Sequence, residues 1–352
     1  MAKIRVLVVD DSALIRSLVT RLLSLDPDIE VVGEAEDPFV ARELIKKLNP
    51  DVLTLDVEMP KMDGITFLRN LMRLRPMPVI MLSTLTTQGA DITLDALAIG
   101  AVDFIAKPSA DVLLAKQDSF SERLITKVKQ AAGVDQNSVK RHQLVTGKSS
   151  QASLSYNGGQ QVDQLIAIGA STGGTEAIQT VLQALPTNTP PVVITQHIPP
   201  TFSERFANRL NNKCQITVQE AKHGQKLMVG NAYIAPGGMH LRIAKKGSSY
   251  FCQLDDGPEV KRHRPSVDVL FQSLVNTAVN TQALLLTGMG DDGAEGLLAL
   301  KKAGARTIIQ SKNSSLIWGM PGSAAKIDAH TDEIDLAKIA ESVLKHANLA
   351  VR

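Results

Sequence analysis

An alternation of short β-branched runs with stretches of helical period, met twice along the chain, restricts the possible folds more than any other feature. Ile4–Val9, Ile29–Ala35, Val52–Leu55, Val79–Leu82 and Val102–Ala106 read as strands, and Leu14–Leu25, Pro38–Leu48, Ile65–Leu74, Ala90–Ile99 and Phe120–Ala132 as the helices that follow them. Five such βα units predict a doubly wound α/β domain with a parallel sheet. From residue 133 to 162 the text turns to Asn, Gln, Ser, Lys and Gly around isolated apolar residues without period, the pattern of a solvated linker. The alternation then resumes. Leu165–Ile168, Val192–Thr195, Ala232–Ala235, Ala283–Leu286 and Thr307–Ile309 read as extended, and Glu176–Ala184, Phe202–Leu210, Val267–Val279 and Ala294–Ala303 as helical. The expected organisation is a (βα)5 domain over 1–132, a linker over 133–162 and a second, larger doubly wound α/β domain over 163–352.

Composition removes several function classes. Basic and acidic side chains number 38 and 36, so bulk attraction to nucleic acid or anionic lipid is not expected. The two cysteines, Cys214 and Cys252, form neither a zinc spacing nor a disulfide framework, which suits a reducing cytoplasm. No apolar run approaches the about 18 residues of a membrane span, and Asp10 and Asp11 interrupt the apolar start too early for a signal peptide. A cytoplasmic protein without membrane insertion is expected.

In open parallel sheets, ligands bind outside the carboxyl ends of the strands. In the first domain those ends carry Asp10 and Asp11, Asp56, Ser83 and Lys107. A single strand-end Asp, such as Asp11 before Ser12, reads as a helix cap. Three carboxylates in one crevice instead call for a hard cation, and an all-oxygen set suits Mg²⁺. Asp56 is then the natural nucleophile towards phosphorus, with Mg²⁺ and Lys107 neutralising the transferred group. The segments Val8–Ser12, Leu55–Gly64 and Asp103–Pro108 resemble the receiver domain of bacterial response regulators. That resemblance implies phosphorylation of Asp56 by a histidine kinase, Mg²⁺ held by Asp10, Asp11 and Asp56, and sensing of the phosphoryl group by Ser83 and Lys107.

In the second domain the strand Leu165–Ile168 runs into Gly169-Ala-Ser-Thr-Gly173 and a helix, the pattern of a nucleophile elbow at Ser171. Alone it is as often a helix cap or anion site. A serine nucleophile needs a base and an orienting acid on the same edge. Among seven histidines, His197 ends a strand and is favoured by position over His240 and His263; His223 follows no expected strand, and His330 and His346 fall in a polar C-terminal region. The acid is Asp291 or Asp292, both at the terminus of the strand Ala283–Leu286, and spacing leaves the two open.

The whole chain is similar to the chemotaxis protein-glutamate methylesterase (CheB) family. The likeness is carried by Gly169-Ala-Ser-Thr-Gly-Gly174, Gln196-His-Ile-Pro199, Ala235-Pro-Gly-Gly-Met-His240, Arg264-Pro-Ser-Val-Asp-Val-Leu-Phe271 and Gly288-Met-Gly-Asp-Asp-Gly-Ala294. It implies a hydrolase-like second domain with Ser171 as nucleophile, His197 as base and Asp292 as its orienter, Asp291 being a neighbour. It further implies demethylation of glutamate methyl esters on chemoreceptors, deamidation of receptor glutamines, and no cofactor at the hydrolase site. The backbone N–H groups of Thr172 and Met289 are the expected oxyanion donors. Two rival readings are weaker. Gly288-Met-Gly-Asp-Asp-Gly293 matches a dinucleotide fingerprint, but the following strand ends in Gln310 and Ser311, not an acidic residue, and the paired Asp would repel a pyrophosphate. A DNA-binding output with Lys261-Arg-His-Arg264 as its basic patch is disfavoured by the strand-rich second half and the small net charge.

Overall fold

The computed structural model describes residues 2–59, 61–84, 86–107, 117–134, 154–159, 162–277 and 279–351. They form two compact units, Met1–Gln143 and Leu144–Arg352. Pro108 and most of the expected linker lie outside the described residues.

In the first unit β1 (Ile4–Val9), α1 (Ala13–Leu23), β2 (Ile29–Ala35), α2 (Pro38–Leu48), β3 (Val52–Asp56), α3 (Gly64–Leu74), β4 (Val79–Ser83), α4 (Thr87–Ile99), β5 (Asp103–Ala106) and α5 (Gln117–Ala132) follow one another. Every strand pairs parallel, in the order β2-β1-β3-β4-β5. Val6–Val9 and Val52–Leu55 are fully buried, as strands covered on both faces must be. The helices start where the sequence supplies caps. Asp37 accepts from the N–H groups of Phe39 and Val40 ahead of Pro38, and Asp63 accepts from Thr66. The chain leaves β1 for β2 on one side and returns to β3 on the other, so the topological switch lies between β1 and β3.

The second unit contains β6 (Gln164–Ala170), α6 (Gly174–Gln183), β7 (Val192–Gln196), α7 (Pro200–Asn211), β8 (Thr217–Glu220), β9 (Asn231–Ile234), β10 (His240–Lys246), β11 (Ser249–Asp255), α8 (Val267–Leu274), β12 (Asn280–Leu285), α9 (Ala294–Lys302), β13 (Arg306–Gln310), α10 (Met320–Lys326), β14 (Asp332–Ile334) and α11 (Leu336–Leu349). Seven strands form a parallel sheet, β14-β13-β12-β6-β7-β9-β8, beside the antiparallel hairpin β10–β11. The switch here falls between β6 and β12.

Four expectations change. A short edge strand, β8, does precede His223, whose Nδ1 is spent on the backbone of Leu254. The helix expected over Val267–Val279 stops at Leu274. The C-terminal region is no polar tail: Leu336, Ile339, Ala340, Val343, Leu344 and Ala347 make a buried helical stripe on α11, and the buried Gln164 and Gln282 donate to its carbonyls. The end of the expected linker is anchored, because Tyr156 is buried, Asn188 donates to its carbonyl, and Asn348 bonds Ser155 and Asn157.

Candidate active site

At the switch point of the first unit, ligand oxygens of Asp10, Asp11 and Asp56 lie within 4.8 Å of one another. The cap of α1 is Ser12, not Asp11, which is left exposed at the crevice. Lys107 Nζ sits 2.8 Å from both Asp10 Oδ2 and Asp56 Oδ2. Burial, with the Asp10 charge adding, pushes Asp56 up to about 6 against the pull of Lys107. One ammonium against three carboxylates leaves excess negative charge on hard oxygen donors, a set that fits Mg²⁺. Ser83 is buried at the end of β4 with its hydroxyl within hydrogen-bond distance of the carbonyl oxygen of Gly89 in α4.

In the second unit, Ala170 of β6 pairs with Gln196 of β7, so the next residues, Ser171 and His197, leave adjacent strand ends together. The His197 N–H donates to the Ala170 carbonyl at 3.1 Å, and Ser171 N–H to the Thr287 carbonyl beyond β12 at 3.1 Å. Gly173 can begin α6 so abruptly because its φ is +76°, a left-handed backbone in which a side chain would also press on Leu316. Gln196 clamps the turn: its Nε2 donates to the carbonyls of Ser171 at 2.9 Å and His197 at 3.3 Å.

Asp292, left tied with Asp291 by spacing, is the one bonded to His197: Nε2 and Oδ2 are 2.7 Å apart. Asp292 does not cap α9, the helix after it. It sits at the start of α8, where Oδ1 accepts from Ser266 Oγ at 2.8 Å and Asp268 N at 3.1 Å, and Oδ2 also accepts from Val267 N at 2.7 Å. Burial works against its charge, but His197 and these helix-start N–H groups hold the carboxyl well below the usual range. An ionised carboxylate only accepts, so Nε2 carries the proton and Nδ1, buried with no partner, is the basic atom of His197. Asp291 turns outward to Lys261 Nζ at 2.9 Å.

The other histidines are placed elsewhere or differently. His240 is buried with both nitrogens engaged, by Ser266 N–H at 3.2 Å and the Pro258 carbonyl at 3.0 Å. His263 stacks on His197, ring centres 3.6 Å apart and planes 12° from parallel. Of the expected oxyanion donors, Thr172 is buried at the elbow, and Met289 is 37% exposed on the loop after β12.

A family model for the CheB methylesterase matches residues 166–343, and one for the response regulator receiver domain matches residues 6–117. The chain belongs to the CheB methylesterase family. It is 51% identical over 346 residues to a protein-glutamate methylesterase/protein-glutamine glutaminase 1 of Xanthomonas campestris, covering 97% of this chain and 96% of that one. Identity to the protein-glutamate methylesterase/protein-glutamine glutaminase of Salmonella typhimurium is 49% over 350 residues, covering 98% and 97%. The crystal structure of the Thermotoga maritima CheB methylesterase catalytic domain is similar at a TM-score of 0.51 and 33% identity, over 52% of this chain and 97% of that one. Among the described residues no helix is long and apolar enough to cross a membrane.

Within this CheB methylesterase fold, residues around the strand-end trio hold it in shape. Thr287 Oγ1 lies 3.1 Å from the Thr172 carbonyl and accepts from Ile317 N at 2.9 Å, tying the elbow to the β12 loop. Gly288 lets that loop approach: a Cβ there would fall 2.8 Å from Ser171 Cβ and 2.4 Å from Met320 Sδ. Gly288→Ala is therefore expected to displace Ser171 and lower kcat for ester turnover by ~10- to 100-fold with KM nearly constant. Steady-state kinetics check it, and an unchanged kcat would mean the loop yields without moving the serine.

Proposed function

We propose that the chain is a phosphorylation-regulated hydrolase of the bacterial cytoplasm that removes methyl groups from glutamate methyl esters on chemoreceptors and deamidates specific receptor glutamines. The observation that carries this reading is the bond from Asp292 to His197 beside Ser171, three residues delivered by three neighbouring strand ends.

Ser171 Oγ attacks the ester carbonyl while His197 Nδ1 takes its proton, and Asp292 steadies the imidazolium through Nε2. The tetrahedral oxyanion is met by the backbone N–H groups of Thr172 and Met289. Collapse breaks the carbon–methoxy bond, His197 returns the proton, and methanol leaves an acyl-Ser171. Water, deprotonated by the same Nδ1, then frees the glutamate carboxylate and regenerates Ser171. A glutamine amide follows the same course with ammonia as the leaving group.

Asp10, Asp11 and Asp56 would hold Mg²⁺, which neutralises phosphoryl oxygens when bound. Asp56 accepts the phosphoryl group from a histidine kinase, and Lys107 and Ser83 sense it. Residues 1–132 act as the receiver and 163–352 as the hydrolase that it restrains, with residues 155–157 of the connecting stretch packed onto the hydrolase.

The test is methanol release from a methylated chemoreceptor fragment, with and without a small-molecule phosphodonor and Mg²⁺. Release by the wild type should rise severalfold with the phosphodonor, and Asp56→Asn should lose the rise while keeping the basal rate. Absence of methanol from the wild type under both conditions would overturn the esterase reading, and a rise that survives in Asp56→Asn would overturn the phosphorylation site.

A further inference from the structure

His263 is presented by a two-residue turn in which both central residues, Lys261 at φ +49° and Arg262 at φ +65°, are left-handed. Val260 and His263 close it reciprocally, through N–H to carbonyl bonds of 3.1 Å and 2.9 Å. This is the backbone of a type I′ turn, which Asn-Gly adopts readily and Lys-Arg does not. Non-glycine residues persist in such a conformation where their surroundings hold them, and here the holder is visible. Lys261 Nζ reaches Asp291 Oδ2 at 2.9 Å, Glu295 Oε1 at 3.2 Å and Asp268 Oδ2 at 3.6 Å. The turn is thereby tied to the residue next to Asp292 and to the first turn of α9.

What this turn delivers is a flat ring against a flat ring. Asp292 holds His197 at one point, Nε2, and a single hydrogen bond leaves an imidazole free to tilt about it. The parallel face of His263 at 3.6 Å removes that freedom and covers one side of the ring from water.

We infer that His263 is a positioning residue: its ring, carried on the Lys261–Arg262 turn, stacks on His197 and fixes the imidazole so that Nδ1 meets the Ser171 hydroxyl. The inference deepens the proposed esterase mechanism and rests on it. The stacking needs a planar ring and not imidazole nitrogens, which separates it from a role in proton transfer or substrate contact.

The experiment compares wild type, His263→Phe and His263→Leu in the full chain, measuring kcat and KM for methanol release from a methylated receptor fragment. In parallel, the proton resonance of the His197 Nε2–H to Asp292 bond is recorded by NMR. The expected result is kcat within about threefold for Phe, a fall of ~10- to 100-fold for Leu at unchanged KM, and a resonance kept in Phe and broadened in Leu. Leu at the wild-type rate would overturn the inference, as would equal losses in Phe and Leu or a change confined to KM. Should Leu prove unstable in a thermal melt, Phe decides alone, since a retained rate supports stacking and a lost rate refutes it. A wild type that releases no methanol would instead fail the proposed function, and the resonance would still report whether the ring is held.

Discussion

Ser171→Ala is expected to lower methanol release by roughly 10⁴-fold or more while leaving the second unit folded. The size follows from what is removed: without the hydroxyl no acyl-enzyme forms, and His197 can act only on a water that nothing in the elbow orients. The fold should not notice. The bonds that hold residue 171 are from its backbone, N–H to the Thr287 carbonyl and its own carbonyl to Gly174 N–H and Gln196 Nε2, and alanine keeps all three. The chain has a single tryptophan, Trp318, in the second unit, where its indole donates to the Gln310 carbonyl at 3.0 Å. Its fluorescence therefore follows that unit alone. A melt of the variant by Trp318 overlapping that of the wild type, with methanol release gone, is the expected pair of results. Release comparable to wild type would discard the serine mechanism.

The strand ends were legible because period-2 and period-3.6 patterns are local, and a parallel sheet turns them into positions on one edge. That logic brought Asp10, Asp11 and Asp56 to one edge, and Ser171, His197 and the pair Asp291 and Asp292 to another. It could not separate Asp291 from Asp292, since the choice is made by Ser266, Val267 and Asp268, about 25 residues earlier in the chain, whose helix start points at one carboxylate only. A signal was there: Ser266 before an apolar run is a cap, and a cap marks a helix start with spare N–H groups. The hairpin β10–β11 was also readable, from Leu241, Ile243, Tyr250 and Cys252 alternating about Gly247-Ser248, a two-residue turn with Gly247 at φ +59°. His263 had no such signal. Its stacking on His197 depends on a left-handed Lys-Arg turn that propensity disfavours and that the ion pairs of Lys261 with Asp268 and with the sequence-distant Asp291 and Glu295 impose. Local conflict of that kind marks a place where tertiary structure overrides sequence preference.

Asp292→Asn is expected to cost ~10³- to 10⁴-fold in kcat and about 2 kcal/mol in the stability of the second unit at neutral pH. Four donors converge on this carboxylate, His197 Nε2 and Val267 N on Oδ2, Ser266 Oγ and Asp268 N on Oδ1. An amide offers one accepting oxygen, and its NH₂ must face either Val267 N–H or Asp268 N–H, so one backbone donor is opposed whichever way the group turns. With the NH₂ in the Oδ2 place, His197 must accept through Nε2, its proton moves to Nδ1, and the base towards Ser171 is gone. The pH dependence has a definite sign. Because the Asp292 carboxyl is held below its ordinary value in the fold, its contribution is complete above the unfolded value of about 3.9 and fades as pH falls through the folded one. The stability gap between wild type and Asp292→Asn should therefore be present at about pH 5 and above and close progressively below about pH 4. Urea transitions followed by Trp318 at several pH values measure it. A gap that persists undiminished into acid would mean that shape and not charge holds α8 to the β12 loop, and the carboxylate could then be orienting His197 without stabilising the fold.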